Sequence, residues 1–218
     1  MHSKIKIKTS DNIVLSGNLF EVQNPKGLVV FLHMMPATKD SYNLLADKLQ
    51  EEGFAGISVD FRGHGESQGG PDGYLEFNDE KHQEKIKDVK TAVNFIFDKY
   101  KNNKLPIFLV GASIGANLSM QEATEDDRIK KIVLLSPGLN YRGINAKIFA
   151  AKIKKGVKVF IVGSEDDNYS VENIDELIGL FADGVIKEKM IFKDAGHGTA
   201  MCQKHPELIK KIIDFLKS

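Results

Sequence analysis

Two serines in this chain stand in the pentapeptide Gly-x-Ser-x-Gly: Ser67 in Gly65-Glu66-Ser67-Gln68-Gly69, and Ser113 in Gly111-Ala112-Ser113-Ile114-Gly115. The pattern marks a sharp strand-to-helix turn that exposes a serine hydroxyl. Such a hydroxyl attacks a carbonyl carbon when a base takes its proton, a third group orients that base, and N–H donors wait for the oxygen that becomes negative. Six histidines compete for the role of base, and a carboxylate must do the orienting.

The flanking sequence separates the two serines. Ser113 directly follows the apolar run Leu105 to Val110, and the helix-forming stretch Ala116 to Ala123 comes after it without glycine or proline. That order predicts strand, turn and helix, with Gly111 and Gly115 small enough for a tight turn against neighbouring backbone. It also places Ser113 and Ile114 at the positive end of a helix dipole, where a developing oxyanion is stabilised. Ser67 trails its strand by several residues and runs into Gly69-Gly70-Pro71-Asp72-Gly73, which cannot start a helix. It reads as a loop serine.

His197 is the histidine best placed to serve Ser113. It lies in Asp194-Ala195-Gly196-His197-Gly198, just past a strand ending at Phe192, and its flanking glycines let the loop turn inward. His2 is terminal, His82 and His205 lie in or beside charged helices, and His33 and His64 follow strands. For the acid, the run Val157 to Val162 ends in Gly163-Ser164-Glu165-Asp166-Asp167-Asn168. Asp166 is favoured by position, Asp167 is second and Glu165 third. At least one of them is a solvated residue of the turn.

The elements that must hold these groups are also legible. Lys4 to Lys8 alternates with period two, Asp11-Asn12 reads as a turn, and Ile13 to Phe20 returns, as in an antiparallel hairpin at a sheet edge. Unbroken apolar runs then follow at Leu28 to Leu32, Ile107 to Val110, Ile132 to Leu135 and Val157 to Val162, with weaker ones at Ala55 to Phe61 and Lys189 to Phe192. Runs of this kind suit strands covered on both faces. Between them lie helical spacings: Tyr42, Leu45 and Leu49 before Gly53; Ile86, Val89, Val93, Ile96 and Tyr100; and a last stripe after Pro206. The alternation predicts an α/β fold with a mainly parallel sheet. The 218 residues fit one domain, 1–218, with 138–156 as a minimal insert.

Composition narrows the function classes. Hydrophobic residues make up 42% and charged residues 28%, and the 30 basic residues balance the 30 acidic ones, so no net field calls for nucleic acid or an anionic membrane. The lysines at 152, 154, 155 and 158 read as a solvated face. The single cysteine, Cys202, excludes an internal disulfide, and no paired ligand spacing suggests a metal. No signal-like core or membrane-length apolar run is present, so an intracellular, cytoplasmic protein is expected, with no membrane span and no cofactor.

Four stretches carry a family resemblance: Leu32-His33-Met34-Met35-Pro36, Asp60-Phe61-Arg62-Gly63-His64-Gly65-Glu66-Ser67, the elbow around Ser113, and Gly196-His197-Gly198. In these, and in the order Ser…Asp…His, the chain resembles the α/β-hydrolase superfamily over nearly its full length. The second stretch is similar to a post-strand loop of the lysophospholipase, monoacylglycerol-lipase and feruloyl-esterase branches, where its serine is not catalytic. The resemblance implies an eight-stranded sheet with an antiparallel N-terminal hairpin, helices on both faces and a small cap between strands 6 and 7. It places the acid three residues after the strand-end glycine, which gives Asp166. It makes His33 structural and Ile114 and Met35 the oxyanion donors, with Met34 as the alternative to Met35. Met34 departs from the family's usual glycine and stands beside the site.

The expected function is a serine hydrolase that cleaves small to medium carboxylic esters through an acyl-enzyme on Ser113, with the triad Ser113, Asp166 and His197. The short insert, 136–156, implies an open cleft, with Met34, Leu139 and Tyr141 as pocket residues. An amide, peptide or thioester hydrolase with the same triad, and a non-catalytic ligand-binding protein, are the alternatives.

Overall fold

The computed structural model describes residues 2–101 and 104–218. The chain opens with β1 (Ser3–Lys8) and β2 (Val14–Phe20), an antiparallel pair in which Ser3 faces Leu19 and Lys8 faces Val14. Strand β3 (Leu28–Leu32) leads through a short 3-10 turn to α1 (Asn43–Glu51) and β4 (Ala55–Val59). A long loop then reaches α2 (Asp79–Gln83) and α3 (Lys85–Lys99). After β5 (Ile107–Ala112) come α4 (Ile114–Glu125) and β6 (Ile129–Leu135). The segment between β6 and the next strand of the main sheet holds only β7 (Asn140–Tyr141), β8 (Ile144–Asn145) and α5 (Ala146–Ala150). The chain closes with β9 (Lys158–Ser164), α6 (Asn168–Leu180), β10 (Ile186–Phe192), α7 (Ala200–Lys204) and α8 (Pro206–Lys217).

The main sheet has eight strands in the order β1-β2-β4-β3-β5-β6-β9-β10. The β1-β2 and β2-β4 pairs are antiparallel and all others are parallel. The apolar runs form the central strands because helices cover both faces. In β3, Leu28, Val30 and Leu32 join the core under α3, α4, α5 and α6, while Val29 and Phe31 join the core under α1, α7 and α8. Every residue of β3, β4 and β5 is buried.

The connections create the site. From β3 the chain steps to β4 on one side, then crosses to β5 on the other. Loops after β3 and β5 therefore diverge at the carboxyl edge of the sheet, and crevices of parallel sheets form at such a reversal. Met34 and Met35 leave one strand there and Ser113 leaves the other.

A charge cluster locks the N-terminal hairpin to α3. Arg62 donates to buried Asp88 through Nε (2.9 Å) and Nη2 (2.7 Å), and through Nη1 to Asp11 in the β1-β2 turn (2.7 Å). The hydrogen bond from Arg62 holds the Asp11 carboxyl well below its ordinary range, burial opposes this, and Thr9 and Lys87 add to the fall. A carboxylate with a depressed folded-state pKa contributes stability above its unfolded value, about 4, and that contribution is lost as pH falls through the folded value. Asp11→Asn should therefore lower stability at neutral pH and make it less steeply dependent on pH below about 4. Urea unfolding across pH checks this, and identical acid limbs in both proteins would refute it.

Candidate active site

The elbow forms where β5 delivers Ser113 to the carboxyl edge and α4 starts at the next residue. Ser113 has φ 54 and ψ −119, a conformation that residues with a β-carbon rarely adopt. The two glycines make the turn possible. A β-carbon on Gly111 would lie 2.2 Å from the Gly115 carbonyl oxygen, and one on Gly115 would lie 2.1 Å from that of Leu32. Both obstacles are backbone and cannot swing aside. The Ser113 N–H donates to Leu135 O at 2.8 Å and ties the turn to β6.

Ser67 is differently engaged. Its hydroxyl donates to Asp60 O at 2.6 Å and accepts the Ser16 N–H at 2.8 Å. Turns, not a helix, follow it directly. The Asp60 carboxylate gathers the Lys39 N–H (2.7 Å), the Lys39 ammonium (2.9 Å) and the Glu66 N–H (2.9 Å). The 60–67 loop is thus a buried polar knot, and its serine closes it.

His197 sits in the loop after β10, between Gly196 at φ 76 and Gly198 at φ 58. The loop packs directly on the elbow: a β-carbon on Gly198 would stand 3.2 Å from that of Ala112. His197 Nδ1 lies 2.7 Å from Asp167 Oδ2. Asp166, the acid favoured from sequence, is not the partner. Its carboxylate accepts the Gly196 N–H at 2.9 and 3.2 Å and the Ser164 hydroxyl, so it holds the backbone of the histidine loop. The correction has a simple cause. Strand β9 runs to Ser164, past Gly163, so the third residue beyond the strand is Asp167. Asp167 precedes α6, and its side chain turns inward while Asp166 and Glu165 stay exposed.

Burial opposes ionisation of Asp167, but hydrogen bonds from His197, Ser136 and Ser170 outweigh it and leave the carboxyl below its ordinary pKa. Ser136 also accepts the Gly198 N–H at 2.9 Å, and Ser164 accepts the Ala195 N–H at 2.7 Å. These serines frame the histidine loop. They escaped the sequence reading because a strand-end serine carries no signal of its own.

The backbone bears on the two candidate oxyanion donors. Ile114 opens α4, and the first N–H groups of a helix have no acceptor within it. For the second donor, His33 is informative. The Phe61 N–H donates to His33 Nε2 at 3.0 Å, so the ring proton is on Nδ1, which lies 2.8 Å from Met34 O. Burial pushes the His33 pKa down to about 4, so the ring stays neutral. The Met34–Met35 peptide is trans, and the two polar groups of a trans peptide point opposite ways. Holding Met34 O against His33 turns the Met35 N–H to the other side. This geometry supports Met35 over Met34.

Of the expected pocket residues, Met34 reaches the histidine loop, with its Sδ 2.5 Å from where a β-carbon on Gly198 would stand. Tyr141, on the β7-β8 hairpin, donates to Ser136 O at 3.3 Å and interacts with the Ser113 hydroxyl. Burial raises its pKa to about 12. Leu139 is half-buried and packs on the core.

An eight-stranded, mainly parallel sheet with a serine elbow after β5 and a histidine after β10 defines an α/β hydrolase. The family model described as serine aminopeptidase, S33, matches residues 23–207, and the chain belongs to that family. No curated protein matches it by sequence. Among solved structures it is similar to an esterase of Pyrococcus furiosus (22% identity, TM-score 0.81, covering 100% of this chain and 90% of that one). It is also similar to a carboxyl esterase of Bacillus coagulans (12%, 0.78, 99% and 98%) and to the α/β hydrolase GrgF of Penicillium sp. (17%, 0.76, 100% and 98%). At these identities the likeness is one of fold. No described helix is long and apolar enough to cross a membrane.

Two outcomes follow for substitutions. Asp167→Asn should lower kcat by about 10⁴-fold, because the amide favours the wrong imidazole tautomer, whereas Asp166→Asn should cost about tenfold or less through a looser loop. Esterase assays on both variants check this, and a larger loss in Asp166→Asn would reverse the assignment. Gly115→Ala should cost about 1–3 kcal/mol through the clash with Leu32 O, several degrees of Tm at this chain length.

Proposed function

We propose that the protein is a serine carboxylesterase that cleaves small to medium esters through an acyl-enzyme on Ser113. The observation that carries this reading is the 2.7 Å contact between His197 Nδ1 and Asp167, made in the loop that packs against the Ser113 elbow. With Nδ1–H held by the carboxylate, Nε2 keeps its lone pair and can take the serine proton. Ser113 Oγ then bonds to the carbonyl carbon. The carbonyl oxygen becomes negative between the Ile114 and Met35 N–H groups, and such donors contribute several kcal/mol each when preorganised. The imidazolium returns its proton to the leaving alkoxide. Water, deprotonated by the same imidazole, releases the acid and restores the serine.

The short β7–β8–α5 segment supports an open cleft rather than a deep lipid tunnel. Tyr141 beside Ser113 and the Met34 thioether beside the histidine loop offer a small apolar wall with one polar hydroxyl. The family description favours a second reading, cleavage of amino-terminal peptides. Asp166 and Asp167, the carboxylates in contact with the histidine loop, are both engaged, so neither is free to receive a substrate ammonium.

The test is labelling with a fluorophosphonate followed by intact-mass measurement. One adduct per chain is expected, absent in Ser113→Ala. An unlabelled wild type, or an adduct that survives in Ser113→Ala, would overturn the reading. A panel of p-nitrophenyl esters should then show highest kcat/KM at short to medium acyl chains.

A further inference from the structure

Behind the loop that carries Met35 lies a buried amine that the mechanism above does not use. Lys85, the first residue of α3, is 0% exposed. Its ammonium lies 3.0 Å from His82 Nδ1, 3.1 Å from His64 Nε2 and 3.5 Å from Met35 Sδ. The Phe61 and Phe77 rings stand 5.8 and 5.9 Å from it. An ammonium has three donors and no acceptor. These contacts therefore give each N–H one acceptor, two imidazole nitrogens and a thioether, with no carboxylate among them.

With the amine protonated, both rings accept as neutral imidazoles, and the His64 proton is on Nδ1. Burial pushes the His64 pKa down to about 2 and that of His82 to about 4, which agrees. His64 Nδ1 is buried without a hydrogen-bond partner, a cost borne by this arrangement. His64 stacks on Tyr74 at 4.0 Å and meets the edge of His33 at 4.9 Å. The cluster thus connects to the Met34–Met35 segment by two routes. It reaches Met35 directly through sulfur, and Met34 O through His64 and His33.

We propose that Lys85 is a positioning residue for the oxyanion hole: by holding the Met35 side chain and packing His64 against His33, it fixes the direction of the Met35 N–H. The proposal rests on the serine-hydrolase reading. A side chain tethered at its far end has few rotamers, and its Cα and N–H follow. Donor direction matters because misplacing a catalytic group by about 1 Å costs about 10²-fold in rate. Burial lowers the Lys85 pKa to about 7, Asp88 opposes the fall, and Arg142 and Arg62 add to it. A surface lysine would keep its charge at any working pH, so this amine is held at a real cost, and among the described residues its donors go to Met35, His64 and His82.

The test compares wild type, Lys85→Met, Met35→Leu and the double variant, with rates expressed per active site titrated by a fluorophosphonate, so that loss of folded protein does not count. Lys85→Met should lower kcat by about tenfold or more with KM within about twofold. The affinity for a trifluoromethyl ketone, whose serine adduct carries the oxyanion, should fall by a similar factor. Met35→Leu keeps the N–H and most of the volume, removes the sulfur and should show a fall in the same two quantities, no larger than that of Lys85→Met. It carries the test if Lys85→Met does not fold. The double variant should be no worse than Lys85→Met alone, because Met35→Leu removes a contact that Lys85→Met has already lost. Unchanged kcat and ketone affinity in the variants, or full additivity, would overturn the inference while leaving the function intact. A wild type that neither labels at Ser113 nor hydrolyses esters would overturn both.

Discussion

Ser113 is held at φ 54 and ψ −119 by a turn in which Gly111 meets the Gly115 carbonyl and Gly115 meets the Leu32 carbonyl. This close stacking of three backbone segments decides where the other groups must be. Gly115 can approach Leu32 only because β3 and β5 are neighbours in the sheet. The same neighbourhood brings the loop that carries Met34 and Met35 to the edge of the sheet where Ser113 leaves β5. The bond from Ser113 N to Leu135 O links the turn to β6. Ser136, the next residue after β6, binds the Gly198 N–H of the histidine loop. A backbone conformation of this kind costs about 1–3 kcal/mol and persists when its surroundings over-determine it. Here β3, β5 and β6 all do so.

The second Gly-x-Ser-x-Gly belongs to the support behind this arrangement. Ser67, Asp60, Lys39 and Glu66 tie the loop after β4 into a knot against Ser16 of β2. From that knot Phe61 presents the N–H that sets the His33 tautomer, and His64 packs against the His33 ring. One pentapeptide shapes the elbow around Ser113, and the other steadies the loop that packs against His33. Their identical spelling reflects a shared need for sharp turns, met by helix start in one case and by a polar loop in the other.

The parts of this site that could be read in the chain are those set by local sequence. The strand-turn-helix context of Ser113, the glycines around His197 and the long apolar runs each act within a few residues, and period and sterics suffice to find them. Sequence position points to Asp166 and the structure to Asp167, because β9 continues to Ser164 and its pairing with β10, Ser164 opposite Phe192, fixes that end. The choice between Met34 and Met35 stayed open because it turns on a ring tautomer set by Phe61, 28 positions away. Ser136 and Ser164 gave no signal, since a serine at a strand end becomes a bridge only when another loop arrives. The Lys85 cluster joins positions 35, 64, 82 and 85, and no linear spacing foretells it.

The most direct measurement is kcat/KM for p-nitrophenyl acetate in wild type, Ser113→Ala and Ser67→Ala, all checked for folding by thermal melts. If Ser113 is the nucleophile and Ser67 a structural knot, Ser113→Ala loses about 10⁴-fold or more. Ser67→Ala would keep activity within about tenfold while melting at lower temperature, because it leaves the Ser16 N–H unpaired. Wild-type turnover in folded Ser113→Ala, or loss confined to Ser67→Ala, would contradict the account.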